Sequence, residues 1–319
     1  MKYPPTAMSR VRSAVARVTP DALRQRTRDA LEAIEYEVAK ARTRHPRTFS
    51  EKLRYKVLRD HRPLLTTFAD KVAAREYVAA RVGEQVLPKL VTVLDDARAL
   101  DPALLPANFA LKAAHASGGI VLVTDRAPAD ARLPEPEAYW PGVAVRPAYV
   151  DWDQLRDLCG AWLGRQYGGG ARREWAYVNV PRRIIIEELL VDRRGDVPAD
   201  YKLFVFNGTC RLIQLDSKRF QGHRQDFFLP DWTWLEVDLV PAPSSTEPPA
   251  APESLADLIR LSEQLGAETD FVRVDLYDVG DRLIFGELTS SPQGANWRFK
   301  PESFDATVGD WWELPRRYE

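Results

Sequence analysis

"FVRVDLYDVGDRLIFGELTSSPQGA" occupies residues 271–295. Two runs of alternating apolar and polar residues flank a short stretch that carries Gly280 and Asp281, the pattern of a β-hairpin. A three-residue loop over 280–282 pairs Val279 with Leu283. Followed down the ladder, that register sets Asp275 opposite Glu287 and Arg273 opposite Thr289. Opposed residues share a face of the sheet, with Cβ atoms roughly 4.5–5.5 Å apart. The other face then carries Val272, Val274, Leu276, Ile284, Gly286 and Leu288, and reads as a core face. Facing carboxylates destabilise a sheet unless something offsets their charge. A divalent cation does so, and two carboxylates completed by phosphate oxygens suit Mg²⁺. The ordinary alternative is a solvated polar face in which Arg273 neutralises Asp275, and a one-residue slip would undo the pairing.

The rest of the chain narrows the choice. Its 319 residues are 45% hydrophobic and 29% charged, with a net charge of −1. That composition is globular, and the charge supplies no field for nucleic acid or an acidic membrane surface. No apolar run reaches the roughly 18 residues of a membrane span. The first residues lack the continuous apolar core of a secretory signal. Cys159 and Cys210 stand far apart and suggest a reducing, cytoplasmic setting without a thiolate metal site. The four histidines, at 45, 61, 115 and 223, show no paired metal-ligand spacing, so a metal here would sit on oxygen ligands.

The first sixty residues read as helical. Thr19 and Pro20 mark one helix start, with Leu23, Leu31, Ile34 and Val38 at roughly helical spacing. Ser50 reads as the cap of a second helix. "TTFADKVAAREYVAARVG" reads as one further helix ending at Gly83. Beyond it, strands and helices alternate. "FALKAA" and "GIVLVT" flank the small-residue loop "HASGG", and "DWDQLRDLCGAWLGRQYG" is helical, ended by the glycines at 168–170. "RRIIIEELLV", "DYKLFVFNG" and "CRLIQLDSKRF" are strands, the last two joined at Asn207-Gly208, a hairpin turn signal. "PAPSSTEPPAAP" is a surface loop, because its prolines exclude helix and central strand. Trp232 and Trp234 read as core, with a lid as the alternative. The class is α+β with antiparallel sheets.

No GxxxxGK[ST] or GxGxxG occurs, so a polyphosphate would be held by separated lysines and a permissive loop. Lys71, Lys112 and the backbone of Ser117, Gly118 and Gly119 offer this, although each lysine alone is an ordinary surface residue. Glu187 and Glu188 follow an isoleucine run, where an acid at the edge of an apolar cleft can accept from an amino or hydroxyl group. Asp200, Lys202, Arg219, His223 and Arg224 form a polar, mostly cationic set suited to an anionic ligand, or to a charged loop.

Taken in order, "TFSEKLRYK", "ADKVAAREYV", "FALKAAHASGG", "IIIEELL", "DYKLFVFNG" and the opening hairpin resemble the ATP-grasp superfamily, in its TupA-like branch. The hairpin is also similar to the end of D-alanine–D-alanine ligases, and "DYKLFVFNG" to the Asp-x-Arg strand of RimK-like ligases. The resemblance implies an ATP-grasp fold: two α+β lobes with antiparallel sheets holding ATP between them, over residues 63–190 and 191–319, after a helical segment 1–62. It implies that Lys71 and Lys112 reach the ATP phosphates beneath the loop of Ser117, Gly118 and Gly119. Glu187 matches the hinge acid near adenine, with Glu188 beside it and Leu190 giving backbone contacts. Asp275 and Glu287 match the Mg²⁺ ligands, with Thr289 where the family carries Asn. Arg273 matches the arginine beside the transferred phosphoryl group, and Lys202 stands where the RimK-like glutamate ligases have an arginine facing the phosphates. The implied activity is carboxylate–amine ligation through an acyl phosphate, in cell-surface polymer or small-peptide biosynthesis. The partners would be small acids and amines such as amino acids, peptides or uronic acids. Arg219, His223 and Arg224 are the expected contacts of the acid substrate, and the N-terminal helices offer a surface for a homodimer. A small-molecule or sugar kinase and a non-catalytic nucleotide-binding protein are the alternatives.

Overall fold

A computed structural model describes residues 34, 37–41, 43–168, 174–217, 223–240, 243–295 and 297–318. The expected cap at Thr19 and Pro20, and most of the first helix, lie outside the described residues. Residues 37–41 are helical, but Ile34 and Val38, expected on an apolar stripe, are exposed.

Helix α1 (Phe49–Arg59) is capped by Thr48 rather than Ser50. Thr48 and Glu51 form a reciprocal capping box, in which each side chain accepts from the other's backbone N–H. The segment expected as one long helix is two, α2 (Pro63–Ala69) and α3 (Ala73–Val82). The break falls at Asp70, whose backbone is extended. Its carboxylate accepts from Val72 N at 2.9 Å and from Arg183 at 2.6 Å, while Lys71 N donates across to Ala114 O. Those competing partners draw the backbone out of the helical ladder. Gly83 ends α3 at φ 89°, as its position predicts.

The first sheet joins β1 (Leu90–Leu94), β2 (Phe109–Ala113), β3 (Ile120–Val123), β4 (Gly142–Val145) and β5 (Ile184–Glu188) in the order β1-β5-β2-β3-β4. It departs from the antiparallel expectation at β3–β4, which run parallel. Helix α4 (Trp152–Gly164) covers one face and α5 (Trp175–Val178) precedes β5. Leu111, Val121, Ile184 and Ile186 meet Leu155, Leu158 and Trp162 there. Strand alternation leaves Ala110, Lys112, Ile120, Leu122 and Glu187 on the opposite face.

The second sheet is antiparallel, in the order β12-β11-β6-β7-β8-β9. Its strands are β6 (Asp200–Phe206), β7 (Thr209–Ser217), β8 (Arg224–Phe228), β9 (Trp234–Leu235), β11 (Phe271–Asp278) and β12 (Leu283–Thr289). Strand β10 (Asp238–Leu239) pairs separately with β13 (Phe299–Lys300). Asn207 and Gly208 both have positive φ, the turn that their sequence requires. One face buries Leu203, Val205, Val272, Val274 and Leu276 against α6 (Leu255–Gly266), α2 and α3. Trp232 and Trp234 pack against this cluster, as expected. The opposite face is apolar at one end. There Phe49 of α1 meets the rings of Phe204, Phe206, Phe271, Trp297 and Trp312, with α7 (Phe304–Asp310) beyond. Farther along the same face the side chains become charged, and this is where the candidate site lies.

The opening hairpin reaches its expected pairing by a different route. Asp278, not Val279, pairs with Leu283, and the loop spans four residues. A bulge at Gly286 then restores Asp275↔Glu287 and Arg273↔Thr289. Phe285 therefore takes the core position expected for Ile284, which pairs with Tyr277 on the other face. A Cβ at Gly286 would lie 2.9 Å from the Tyr277 ring and 3.1 Å from Asp275 O, so the bulge admits only glycine without displacement.

Candidate functional site

Asp275 lies between Glu287 on β12 and Lys202 on β6 in one cross-strand row, with Gln214 of β7 next. The residues of this row share a face because each occupies the same phase of its strand. Arg273 grips Asp275 through two bonds, Nε to Oδ1 at 2.6 Å and Nη2 to Oδ2 at 2.7 Å. The same Nη2 donates to Glu287 Oε1 at 2.7 Å and to Thr289 Oγ1 at 3.2 Å, and the Thr289 hydroxyl donates to Glu287 at 2.9 Å. Lys202 Nζ donates to Asp275 at 2.6 Å and to Asp200 at 2.5 Å. Asp200 in turn is opposite Asp216, which accepts from the side-chain amides of Gln214 and Gln225.

This arrangement is costly to bury. Asp275 is 2% exposed and Lys202 4%. Burial pushes the Asp275 carboxyl up to about 6, against the pull of Arg273 and Lys202. Burial also works against the Glu287 carboxylate, but Arg273, Lys71 and Lys202 outweigh it and hold it at about 2. Arg273 stays charged: burial is overcome by Asp275 and Glu287, which raise it above the ordinary arginine range. Two neighbouring carboxylates are thus driven apart in acidity, as at sites tuned for chemistry or for binding a charge.

The first sheet brings its cations to the same region. Lys71, in the break between α2 and α3, donates from Nζ to Ala116 O at 2.5 Å, at the root of the small-residue loop. Burial lowers its pKa, and Glu287 acts most strongly in the opposite sense. Gly118 and Gly119 both have positive φ, and a Cβ on Gly118 would lie 2.8 Å from Trp140 O. The loop therefore turns sharply against Trp140 and can present backbone to a ligand. Lys112 Nζ donates to Glu187 Oε2 at 2.8 Å, and Arg75 of α3 donates to Oε1 of the same carboxylate at 2.6 Å. Beside them lies a mostly apolar cavity of about 300 Å³. Ala110, Ile120, Leu122 and Glu188 line it from the first sheet, Tyr277 from the second, and Leu190 from the chain between. The Glu188 carboxylate accepts from Lys89 N and from Arg282 of the hairpin loop.

The structure thus brings together Lys71, Lys112, the loop of Ser117, Gly118 and Gly119, Lys202, Arg273, Asp275, Glu287 and Thr289. Glu187 faces Lys112 and Arg75 and is not among the residues lining the cavity, whereas Glu188 and Leu190 are. His223 stands 3.6 Å from Asp216, at the far end of the row. Arg224 is separated from it: strand alternation puts it with Leu215 and Phe228 on the other face, and its guanidinium donates to Ser244 O. Arg219 lies outside the described residues. Sequence reasoning missed Arg75, Gln214, Asp216 and Tyr277. Gln214 and Asp216 do alternate with Ile213 and Leu215 along "CRLIQLDS", two polar residues on one phase of an apolar strand, whereas Arg75 gives no signal.

A family model described as TupA-like ATPgrasp matches residues 51–313. The chain belongs to the TupA-like ATP-grasp family. Its helices and two sheets, antiparallel except at β3–β4, have the ATP-grasp architecture. Among solved structures, the D-alanine–D-alanine ligase from Bacillus anthracis matches with 15% identity and a TM-score of 0.43, over 77% of this chain and 64% of that one. The ATP-grasp ligase PsnB, complexed with a phosphomimetic variant of its minimal precursor, Mg and ADP, matches with 10% identity and a TM-score of 0.40, over 78% and 58%. This ATP-grasp chain therefore spans roughly three-fifths of the length of those structures. A search of curated proteins finds no match.

An ATP-grasp protein implies a nucleotide and a divalent ion, and the donor set can be tested against the ion. Among the described residues, no group of three or more His, Cys, Asp or Glu side chains is placed to hold a metal. Asp275 and Glu287 converge on one guanidinium nitrogen, and both offer hard oxygen atoms. That pair fits a hard cation that brings further oxygen ligands with it, as Mg²⁺ on a polyphosphate does. Cys159 and Cys210 are buried, and burial pushes both thiols up to about 12, so neither is a soft ligand or a nucleophile.

Proposed function

We propose that this protein is an ATP-dependent ligase that joins a small carboxylic acid to an amine through an acyl phosphate. The observation that supports it is the row Glu287–Arg273–Asp275–Lys202, buried from Arg273 to Lys202 and open to solvent at Glu287, with the ammonium of Lys71 coupled electrostatically to Glu287. A row of alternating charge serves phosphoryl transfer, which needs positioned charge more than a covalent nucleophile.

In this reading the apolar cavity takes adenine, with Glu188 and Leu190 along its edge. Lys71, Lys112 and the backbone of Ser117, Gly118 and Gly119 hold the phosphates. Asp275 and Glu287 hold Mg²⁺, which supplies charge neutralisation at the phosphate oxygens. Thr289 orients Glu287 by its 2.9 Å bond. Arg273 and Lys202 stabilise the negative charge that shifts to the transferred group and its new oxygen bridge. The acid's carboxylate oxygen attacks the γ-phosphorus and ADP leaves; the neutral amine then attacks the acyl carbon, inorganic phosphate leaves, and the proton lost from nitrogen goes to that phosphate or to water. His223, next to Asp216, is the proposed contact of the acid substrate, with Arg219 as its proposed companion. Amino acids, peptides and uronic acids are the proposed substrate classes, and cell-surface polymer or small-peptide synthesis is the proposed setting.

The test is a panel of carboxylic acids incubated with protein, ATP, Mg²⁺ and hydroxylamine. A ligase gives ADP and a hydroxamate for its own acid, and Asp275→Asn and Glu287→Gln abolish both. ADP with a phosphorylated product inert to hydroxylamine would identify a kinase. Nucleotide binding with no ADP for any acid or alcohol would identify a non-catalytic binder.

A further inference from the structure

Glu187 is a buried carboxylate shared by two cations. Lys112 holds Oε2 at 2.8 Å and Arg75 holds Oε1 at 2.6 Å, and Glu187 is 5% exposed. Arg75 is itself fixed, because its other terminal nitrogen donates to Pro88 O at 2.8 Å. Lys112 lines the apolar cavity, whereas Arg75 and Glu187 are not among its lining residues. Lys112 is therefore the one member of the trio presented to a ligand in that cavity.

A lysine in a private ion pair with a buried carboxylate has little net charge to offer an incoming anion. Two cations on one carboxylate leave a net charge of one, and the ligand meets it at Lys112. We propose that Arg75 is a positioning residue for nucleotide binding: it takes up half of Glu187, so that the Lys112 ammonium keeps its charge for the phosphates. Arg75 thereby limits the electrostatic cost of the Glu187–Lys112 pair to the ligand. The inference rests on the nucleotide reading above but not on the ligase chemistry.

The charge balance makes a prediction that packing does not. Arg75→Met leaves Glu187 on Lys112 alone and weakens the binding of Mg²⁺·AMP-PNP roughly tenfold, the size of one charge-assisted contact. Glu187→Gln alone binds at least as tightly as the wild type. The double variant Arg75→Met/Glu187→Gln restores the net charge of one and returns binding to within about threefold of wild type, a coupling that a double-mutant cycle measures. Arg75→Lys keeps the charge and rescues most of the loss. Titration calorimetry of Mg²⁺·AMP-PNP into the full chain reads all five proteins, with thermal melts to confirm folding. Wild-type affinity in Arg75→Met overturns the inference. So does an equal loss in the single and double variants, which would make Arg75 a strut between α3 and the sheet. Weaker binding in Glu187→Gln would instead place Glu187 against the nucleotide base and overturn the charge-sharing role. If the wild type itself does not bind Mg²⁺·AMP-PNP, the nucleotide reading fails first and the inference falls with it.

Discussion

Replacing Asp275 with Asn tests whether the charged row is built for stability or for function. The carboxyl is 2% exposed and titrates at about 6, against an ordinary 3.8. A folded pKa above the unfolded one means that the native state binds the extra proton. Stability from this group is therefore greatest below pH 4, falls as pH rises from about 4 to 6, and stays at the lower level above that. A separation of about two pH units corresponds to roughly 3 kcal/mol of stability withheld at neutral pH. Asn removes the ionisation while filling the same space. Removing one partner of a buried ion pair ordinarily costs about 3–5 kcal/mol, because it strands the other charge. Here neither cation is stranded, since Arg273 keeps Glu287 at 2.7 Å and Lys202 keeps Asp200 at 2.5 Å. The two effects oppose each other, and the expected outcome is a variant no less stable than wild type at pH 7.5, yet without nucleotide-dependent Mg²⁺ binding. Urea denaturation of both proteins in chelator-treated buffer, from pH 4 to pH 8, gives the comparison. The wild-type-minus-variant difference isolates Asp275 from other titrating groups and should fall by roughly 3 kcal/mol between pH 4 and 7. A variant several kcal/mol less stable at pH 7.5, with an unchanged difference across the pH range, would refute the reasoning and make Asp275 a structural ion-pair residue.

Three further outcomes are expected. Gly286→Ala places a Cβ 2.9 Å from the Tyr277 ring and should cost about 1–3 kcal/mol by overpacking at the bulge, with weakened Mg²⁺·nucleotide binding, as read by urea denaturation and calorimetry. Lys56→Met strips the buried ammonium from between Asp60 at 2.6 Å and Asp270 at 2.5 Å; Arg62 remains on Asp60 at 2.7 Å, and Trp312 and Tyr318 still donate to Asp270, so urea denaturation should show a loss of about 1–3 kcal/mol at neutral pH without a change at the site face. Thr48→Ala removes the cap of α1 and should cost about 1 kcal/mol. The backbone N–H groups of Arg47 and Thr48 hold Glu51 below the ordinary glutamate range, so its part of the capping box persists above pH 4.5 and is lost as pH falls through the lowered value.

The sequence by itself determined the local elements that alternation and turn chemistry encode. Asn207-Gly208 has no other comfortable use than a tight hairpin turn, and Val272, Val274 and Leu276 could only face a core. The facing of Asp275 and Glu287 was legible too, although by a loop count that is one residue short and that the Gly286 bulge makes good. The order of six short stretches pointed to the family, which the match over residues 51–313 then showed. What the sequence could not carry was everything that depends on a partner distant along the chain. The helix expected across residues 66–83 breaks at Asp70 because Arg183 and Ala114 compete for its backbone and side chains, and no local pattern records them. Glu187 reads as one acid of a pair at a strand end, and only folding sets Lys112 and Arg75 on its two oxygens. Arg224 looks like a neighbour of His223 in sequence, yet the period of two in a strand sends adjacent residues to opposite faces. Propensity and periodicity act over a few residues and fix which face a side chain takes. Which charges meet across the cleft is fixed by the packing of two sheets, where burial makes an unpaired charge too costly to leave.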